Sequence, residues 1–281
     1  MDVRGMYKEY WGDKSQRSIQ AGIHTATMES NYKDQITYSF ANSIVYDHNA
    51  PITRPRKDDS NQIQMEVLDM SSTDAIFYAK DLNSSSKVAV LNFASYKNPG
   101  GKFIDGSIAQ EESLCHSSFL YNVLSNFDKT FYEYNRKHLN RSFYTNRAIY
   151  TPDVIFFKDD RSTTCDVITC AAPNIGAASK YCRVSRSENQ DVLLSRCRFI
   201  LDIAKSNMVD SLILGAFGCG VFRQNPYTVA NTFVSLLSIY DYNFKRVIFA
   251  VPNYGHGIEN YKAFCNKVVG CYWRENIIKY E

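Results

Sequence analysis

Nothing in this sequence approaches the roughly 20 consecutive apolar residues that a membrane-crossing helix needs. The opening MDVRGMYKEYWGDK is charged and aromatic where a secretory signal would be apolar. No C-x-x-C pair is present, which removes the usual zinc and redox-dithiol patterns. Cys165, Cys170, Cys197 and Cys265, half of the eight cysteines, instead fall in apolar strand or helix patterns, where a reduced, buried thiol is expected. The five histidines (24, 48, 116, 138, 256) are scattered without metal-ligand spacing, so no metal and no cofactor is expected. An excess of one charge is also lacking. A net charge of +3 demands no nucleic-acid footprint and excludes none, and Arg54-Pro55-Arg56-Lys57 is too short for a nuclear signal. Internal repeats and low-complexity segments are absent. What remains is an intracellular, cytoplasmic protein, with a nuclear location left open, off the membrane and expected to be monomeric.

The 281 residues can bury a sizeable core, and 20 Tyr and 17 Phe supply rings for stacking. Apolar spacing predicts a helix from about Asp13 to Met28. Residues 29–62 read as loop with one short strand over Gln35 to Phe40. Ile63 to Leu68 alternates like a strand, and Ser71 to Asp74 offer caps for a helix through about Lys80. Val88 to Phe93 reads as a buried strand, and Ser113 to Asn126 as one continuous helix. Residues 127–147, polar and tyrosine-rich, read as a surface excursion. Further strands are expected over 149–157, 167–172, 211–216 and 246–251, with helices near 187–206, 226–239 and 257–268. Strands alternating with helices imply a mostly parallel sheet covered on both faces. The boundary between an N-terminal accessory region (1–62) packed on the core and the core itself (63–281) is placed near residue 62.

The chain is organised around VAVLNFASYKNPGGKFIDGSIAQEESLCHSS, residues 88–118. A strand opens into the glycine turn Gly100-Gly101 and then into a helix at Glu111-Glu112. Strand ends of this kind present bare backbone N–H groups, and in open α/β sheets phosphates bind there. A second glycine loop, Gly215 to Phe222, follows the strand Leu212 to Leu214, with Asn225 as N-cap and Pro226 at the first helical position. Together the two loops can clamp one diphosphate. Gly101-Lys102 is followed by Phe103, not by the Ser or Thr of a nucleoside-triphosphatase loop. The glycines from 215 to 220 come too late in the chain for a dinucleotide fingerprint.

Neighbouring residues on a helix point about 100° apart, so Glu111 and Glu112 are expected to serve separate tasks. One would face a sugar's anomeric oxygen while the other accepts from ribose hydroxyls. A bound diphosphate and partial burial both raise a carboxyl pKa and favour the acid form. Cleavage of a ribosyl C1–O bond needs such an acid, because its transition state is oxocarbenium-like. The alternative is that both are favourable first-turn charges on a helix.

NFASYKNPGG-K-x7-QEESLCHSS, followed downstream by GAFGCGVFRQNP, resembles the microbial-type poly(ADP-ribose) glycohydrolases, a branch of the macrodomain fold. That family carries three glycines, a gap of six to eight residues and Gln-Glu-Glu; the gap here, Phe103 to Ala109, is seven. RSIQAGIHTATM and TCAAPN also look like the family's N-terminal helix and strand end. The resemblance implies a three-layer α/β/α macrodomain-like fold with a mixed, mostly parallel sheet and an N-terminal helical accessory region. It implies that Glu112 is the catalytic acid/base and that Glu111 orients the scissile ribose, with Gln110 positioning the pair. Gly100 and Gly101 would line one diphosphate loop, and Gly218, Cys219, Gly220 and Val221 the other. Phe222 would pack on ribose or adenine. Asn98 is the candidate ribose contact, with Ser95 as its alternative. Family members act mainly from the polymer end.

Lys102 stands where the family has its third glycine. Its ammonium can pair with a phosphate, or its side chain can narrow the slot. The function implied is therefore an ADP-ribosyl glycohydrolase acting on poly(ADP-ribose) carried by modified proteins. The alternatives are an ADP-ribose-binding module without turnover, or a hydrolase of ADP-ribose linked to nucleic acid or to protein side chains.

Overall fold

A computed structural model describes residues 13–47, 52, 55–57, 63–255 and 257–268. The chain begins with helices α1 (Lys14–Asn31) and α2 (Lys33–Ala41) and strand β1 (Ile44–Tyr46). Strand β2 (Gln64–Leu68), helix α3 (Ser72–Leu82) and strand β3 (Val88–Phe93) follow. Two short helices, α4 (Gln110–His116) and α5 (Leu120–Ser125), lead through a π-helical turn at Asp128–Tyr132 into α6 (Glu133–Lys137). Strands β4 (Ala148–Lys158) and β5 (Arg161–Cys170) then form a hairpin. Helices α7 (Ile175–Tyr181) and α8 (Arg186–Ser206), strand β6 (Ser211–Leu214), helix α9 (Pro226–Ile239), strand β7 (Arg246–Ala250) and helix α10 (Gly257–Cys265) complete it.

The seven strands lie in the order β1-β4-β5-β3-β6-β7-β2. The pairs from β5 across to β2 are parallel; β1–β4 and β4–β5 are antiparallel. Side chains alternate across the sheet, so each strand feeds two cores. Ala89 and Leu91 face Leu193, Ile200 and Phe233 of α8 and α9. Val88 and Val90 face Ile76, Leu114 and Leu120 on the other side, where α1 to α5 pack. This is the three-layer α/β/α arrangement. Among the described residues no helix is long and apolar enough to cross a membrane.

Several expectations need correction. Residues 33–41 are helical, not loop or strand, because Ile36 and Ser39 turn inward at helical spacing. Loop does not fill 29–62 either, since β1 is an edge strand paired with β4. The helix expected over 113–126 is interrupted. Ser118 Oγ donates to the Leu114 carbonyl (2.7 Å) and accepts from the Leu120 amide (3.1 Å), while the Ser117 carbonyl takes the Phe157 N–H of β4 (2.7 Å). The backbone there serves the sheet edge in place of the helix. Nor is 127–147 a surface excursion: Phe131, Tyr132, Asn135, Phe143 and Arg147 are buried. The Arg147 guanidinium reaches the Phe131 carbonyl (3.0 Å) and Asn135 Oδ1 (2.8 Å).

Candidate active site

The parallel strands β3, β5, β6 and β7 end together, and the site is built on their carboxyl ends. The β3–β6 ladder stops at Val90, leaving β3 backbone beyond it for another partner. Gln110, the first residue of α4, supplies one. Its Oε1 accepts from the Phe93 amide (2.8 Å), and its Nε2 donates to the Leu91 carbonyl (2.8 Å) and the Ser72 hydroxyl (3.0 Å). These bonds fix the rotation of α4 against the sheet, and so the aim of the two residues that follow.

Glu111 and Glu112 are both buried. Glu111 Oε2 accepts from the Ser95 amide (2.6 Å), and its Oε1 from Asn92 Nδ2 (3.2 Å). Burial, reinforced by the neighbouring Glu112 charge, raises the Glu111 pKa from 4.5 to about 8 against the lowering effect of those hydrogen bonds. Glu112 Oε1 accepts from the Lys102 amide at 3.0 Å. The two acids, expected to serve separate tasks, share one neighbour. Although their Cβ directions diverge, both carboxylates converge on Gly101. A Cβ built there would lie 2.6 Å from Glu112 Oε1 and 2.9 Å from Glu111 Oε2, and Gly101 has a left-handed φ of +64°. Only glycine lets this backbone lie against the acids.

The Gly101 N–H is bonded to the Asn98 carbonyl (3.1 Å), and the Lys102 N–H to Glu112. These two amides are therefore spent on the loop's own shape and on Glu112. Helix α1 braces it from outside: Arg17 Nε donates to the Gly106 carbonyl (2.7 Å) and Ser18 Oγ to the Ile104 carbonyl (2.5 Å). Between them Phe103 is fully buried, edge-on to His116 at 4.5 Å. Burial depresses the His116 pKa to about 4, so the ring is neutral packing.

The second loop differs. The amides of Gly218, Gly220, Val221 and Phe222 donate to no group among the described residues. Gly218, at φ +75°, passes so close to Ala172 that a Cβ would lie 2.6 Å from the alanine methyl. The loop is anchored through Gln224, whose Nε2 donates to the Pro173 carbonyl and to Asn189 Oδ1, both at 2.8 Å. Phe222 packs edge-on to Tyr144 at 6.0 Å, and Tyr144 stacks on Tyr96 at 4.1 Å.

A cleft of 380 Å3 lies between the two loops. Of the expected residues, Asn98, Gly101, Lys102, Gln110, Glu111, Glu112, Gly218, Gly220, Val221 and Phe222 line it. Gly100 and Cys219 do not. Gly100 packs below against Tyr121, and the Cys219 thiol is turned inward, its pKa pushed to about 12 by burial. Ser95 lines the cleft, but its amide is held by Glu111 and its hydroxyl accepts from the Asn98 amide (3.2 Å). Among the described residues no group of His, Cys, Asp and Glu could hold a metal. Sequence reasoning missed a second cleft of 650 Å3 that shares Phe93, Ala109, Gln110 and Ala216 with the first and is walled by Ser71, Pro252 and Tyr254. Its signal was modest: a serine-rich cap after β2 and a Val-Pro-Asn-Tyr run after β7. Asn92, which holds Glu111 from within β3, was also missed, since a lone polar residue in an apolar strand was its only mark.

The family described as microbial-type PARG, catalytic domain, matches residues 14–159. The crystal structure of poly(ADP-ribose) glycohydrolase from Thermomonospora curvata bound to the inhibitor ADP-HPD is similar with a TM-score of 0.79. It is 27% identical over 90% of this chain and 100% of that one. The enzyme from Deinococcus radiodurans in complex with ADP-ribose is 33% identical over 83% of this chain and 96% of that one, with a TM-score of 0.68. No curated protein matches.

Proposed function

The chain belongs to the microbial-type poly(ADP-ribose) glycohydrolase family, and from this we infer that it hydrolyses the ribose–ribose O-glycosidic bonds of poly(ADP-ribose). The observation that carries the reading is the convergence of two buried carboxylates on Gly101, facing a loop of free amides across one cleft. In this reading the amides of Gly218, Gly220, Val221 and Phe222 take the diphosphate of the terminal unit. The ribose next to the scissile bond then rests between Phe222 and the acids. The adenosine half occupies the larger adjoining cleft, where Phe93 and Tyr254 offer rings.

Glu112 is the acid. As the C1–O bond breaks, its electron pair stays on the leaving oxygen, which takes the Glu112 proton. The ribosyl cation then adds water, and the ionised Glu112 accepts the proton that water loses. Glu111, fixed by Ser95 and Asn92, holds a ribose hydroxyl and thereby the anomeric carbon. Helix α1 closes the side of the first loop away from the cleft, which suits action from the polymer end. The same reading takes polymer on modified proteins as substrate and the chain as a monomer. The seven described free cysteines suit an intracellular, cytoplasmic setting.

The test is release of ADP-ribose from polymer by the wild type and by Glu112→Gln. A loss of about 10²- to 10⁴-fold is expected for removal of a general acid. Equal turnover by the two proteins removes Glu112 from the mechanism, and ADP-ribose binding without any turnover by the wild type leaves only a binding module.

A further inference from the structure

Among the described residues Lys102 is the one cation lining the catalytic cleft, and its place relative to the acid limits what it can meet. Its amide is spent on Glu112, at 3.0 Å, so the loop has only the side chain to offer a ligand at this position. That side chain is exposed and makes no ion pair among the described residues. The backbone is not left-handed at Lys102, so a side chain is carried there without strain. The loop is also held still, by Arg17 and Ser18 of α1 and by buried Phe103, so the stem of Lys102 starts from a fixed point.

The diphosphate of the unit being released lies, in the proposed function, against the amides of Gly218, Gly220, Val221 and Phe222 across the cleft. Lys102 is on the other side, beside the carboxyl that protonates the leaving oxygen. In this reading the group that leaves with that oxygen departs on the Lys102 side of the cleft. In a polymer the leaving alcohol is a ribose hydroxyl of the adjoining unit, and that unit carries its own diphosphate.

We propose that Lys102 is a specificity residue for the leaving side, its ammonium taking a phosphate of the adjoining ADP-ribose unit. This rests on the reading of Glu112 as the acid. The nearby Asp105, also exposed on the same loop, is the one anion that can compete for the ammonium from the loop itself. A flexible, strongly hydrated ammonium suits such a contact, since the leaving unit must also depart.

The test is binding by calorimetry in a Glu112→Gln background, with and without Lys102→Gln, using ADP-ribose and its dimer as probes. With Lys102 present, the dimer is expected to bind about tenfold more tightly than the monomer, the effect of one charge-assisted hydrogen bond at a partly exposed site. Lys102→Gln should erase that preference, and Lys102→Arg should keep it. The preference should also fall with added salt while Lys102 is present. Equal weakening of monomer and dimer by Lys102→Gln assigns the ammonium to the diphosphate of the released unit and overturns the proposal. A dimer preference that survives Lys102→Gln overturns it as well. Failure of both probes to bind any of these proteins removes the ADP-ribose reading itself, and the proposal with it.

Discussion

Substituting Gly101 by alanine tests the geometry of the acids most directly, because it adds one methyl and no charge. The added Cβ would lie 2.6 Å from Glu112 Oε1. Ordinary contact begins near 3.4 Å, so the carboxylate must retreat by ~0.8 Å. Being the end of a side chain it can move, but only by stretching its 3.0 Å bond to the Lys102 amide. A left-handed φ costs an alanine about 1–2 kcal/mol, and a weakened charge-assisted hydrogen bond about 1 kcal/mol more. The expected result is a folded protein destabilised by about 2–3 kcal/mol. Its kcat should fall roughly 100-fold, the effect of misplacing a catalytic group by about 1 Å. Urea unfolding reads the first number and ADP-ribose release from polymer the second. Gly22→Ala is the control: it lies within α1, has nothing within 4 Å of the new methyl and should gain about 0.5–1 kcal/mol with kcat unchanged. A Gly101→Ala protein that keeps kcat within twofold would refute the placement of the chemistry at this pair.

Other outcomes follow from the surroundings of the same residues. The Glu111 pKa is raised from 4.5 to about 8, so its contribution to stability is complete below pH 4.5 and is lost as pH rises through about 8. The loss is at most roughly 5 kcal/mol at about 1.4 kcal/mol per pH unit. Glu111→Gln should therefore be more stable than wild type at pH 8.5 and little different at pH 4, the Asn92 Oδ1 that lacks a partner being able to accept from the new amide. Urea titrations at the two pH values check this, and a difference independent of pH would contradict it. Gln110→Ala should cost about 2–4 kcal/mol, because it strands the Phe93 amide and the Leu91 carbonyl. It should also lower kcat through the freed rotation of α4, read by unfolding and turnover together.

Much of this architecture was legible because the core strands announce themselves. Val88 to Phe93 is an apolar run broken only by Asn92 and feeding both cores, and the structure gives it those bounds. The caps at Ser71 and Asn225 and the proline at 226 mark helix starts that the structure reproduces. Residues 33–41 misled because the alternation in Gln35 to Phe40 suits a strand as well as a helix, and packing on β4 and α5 decided it. The antiparallel β4–β5 hairpin turns at Asp159, at φ +53°, without the usual glycine, so no turn signal separated it from a parallel pair. At the site, the glycines and acids were visible as a pattern. What no spacing could give was how the two loops divide their work: the first turns the Gly101 and Lys102 amides inward, and the second leaves those of Gly218, Gly220, Val221 and Phe222 without acceptors among the described residues. That division depends on hydrogen bonds to Asn98 and Glu112, which exist only once the loop is closed.

The bracing of the catalytic loop comes from 89 residues upstream, where Arg17 grips the Gly106 carbonyl. A segment that does not line the cleft thus holds the loop whose Lys102 amide carries Glu112. Anyone trimming this polypeptide to a minimal working fragment would find that the obvious cut, just ahead of β2, discards the splint along with the β1 margin of the sheet. A working fragment should therefore keep both α1 and β1.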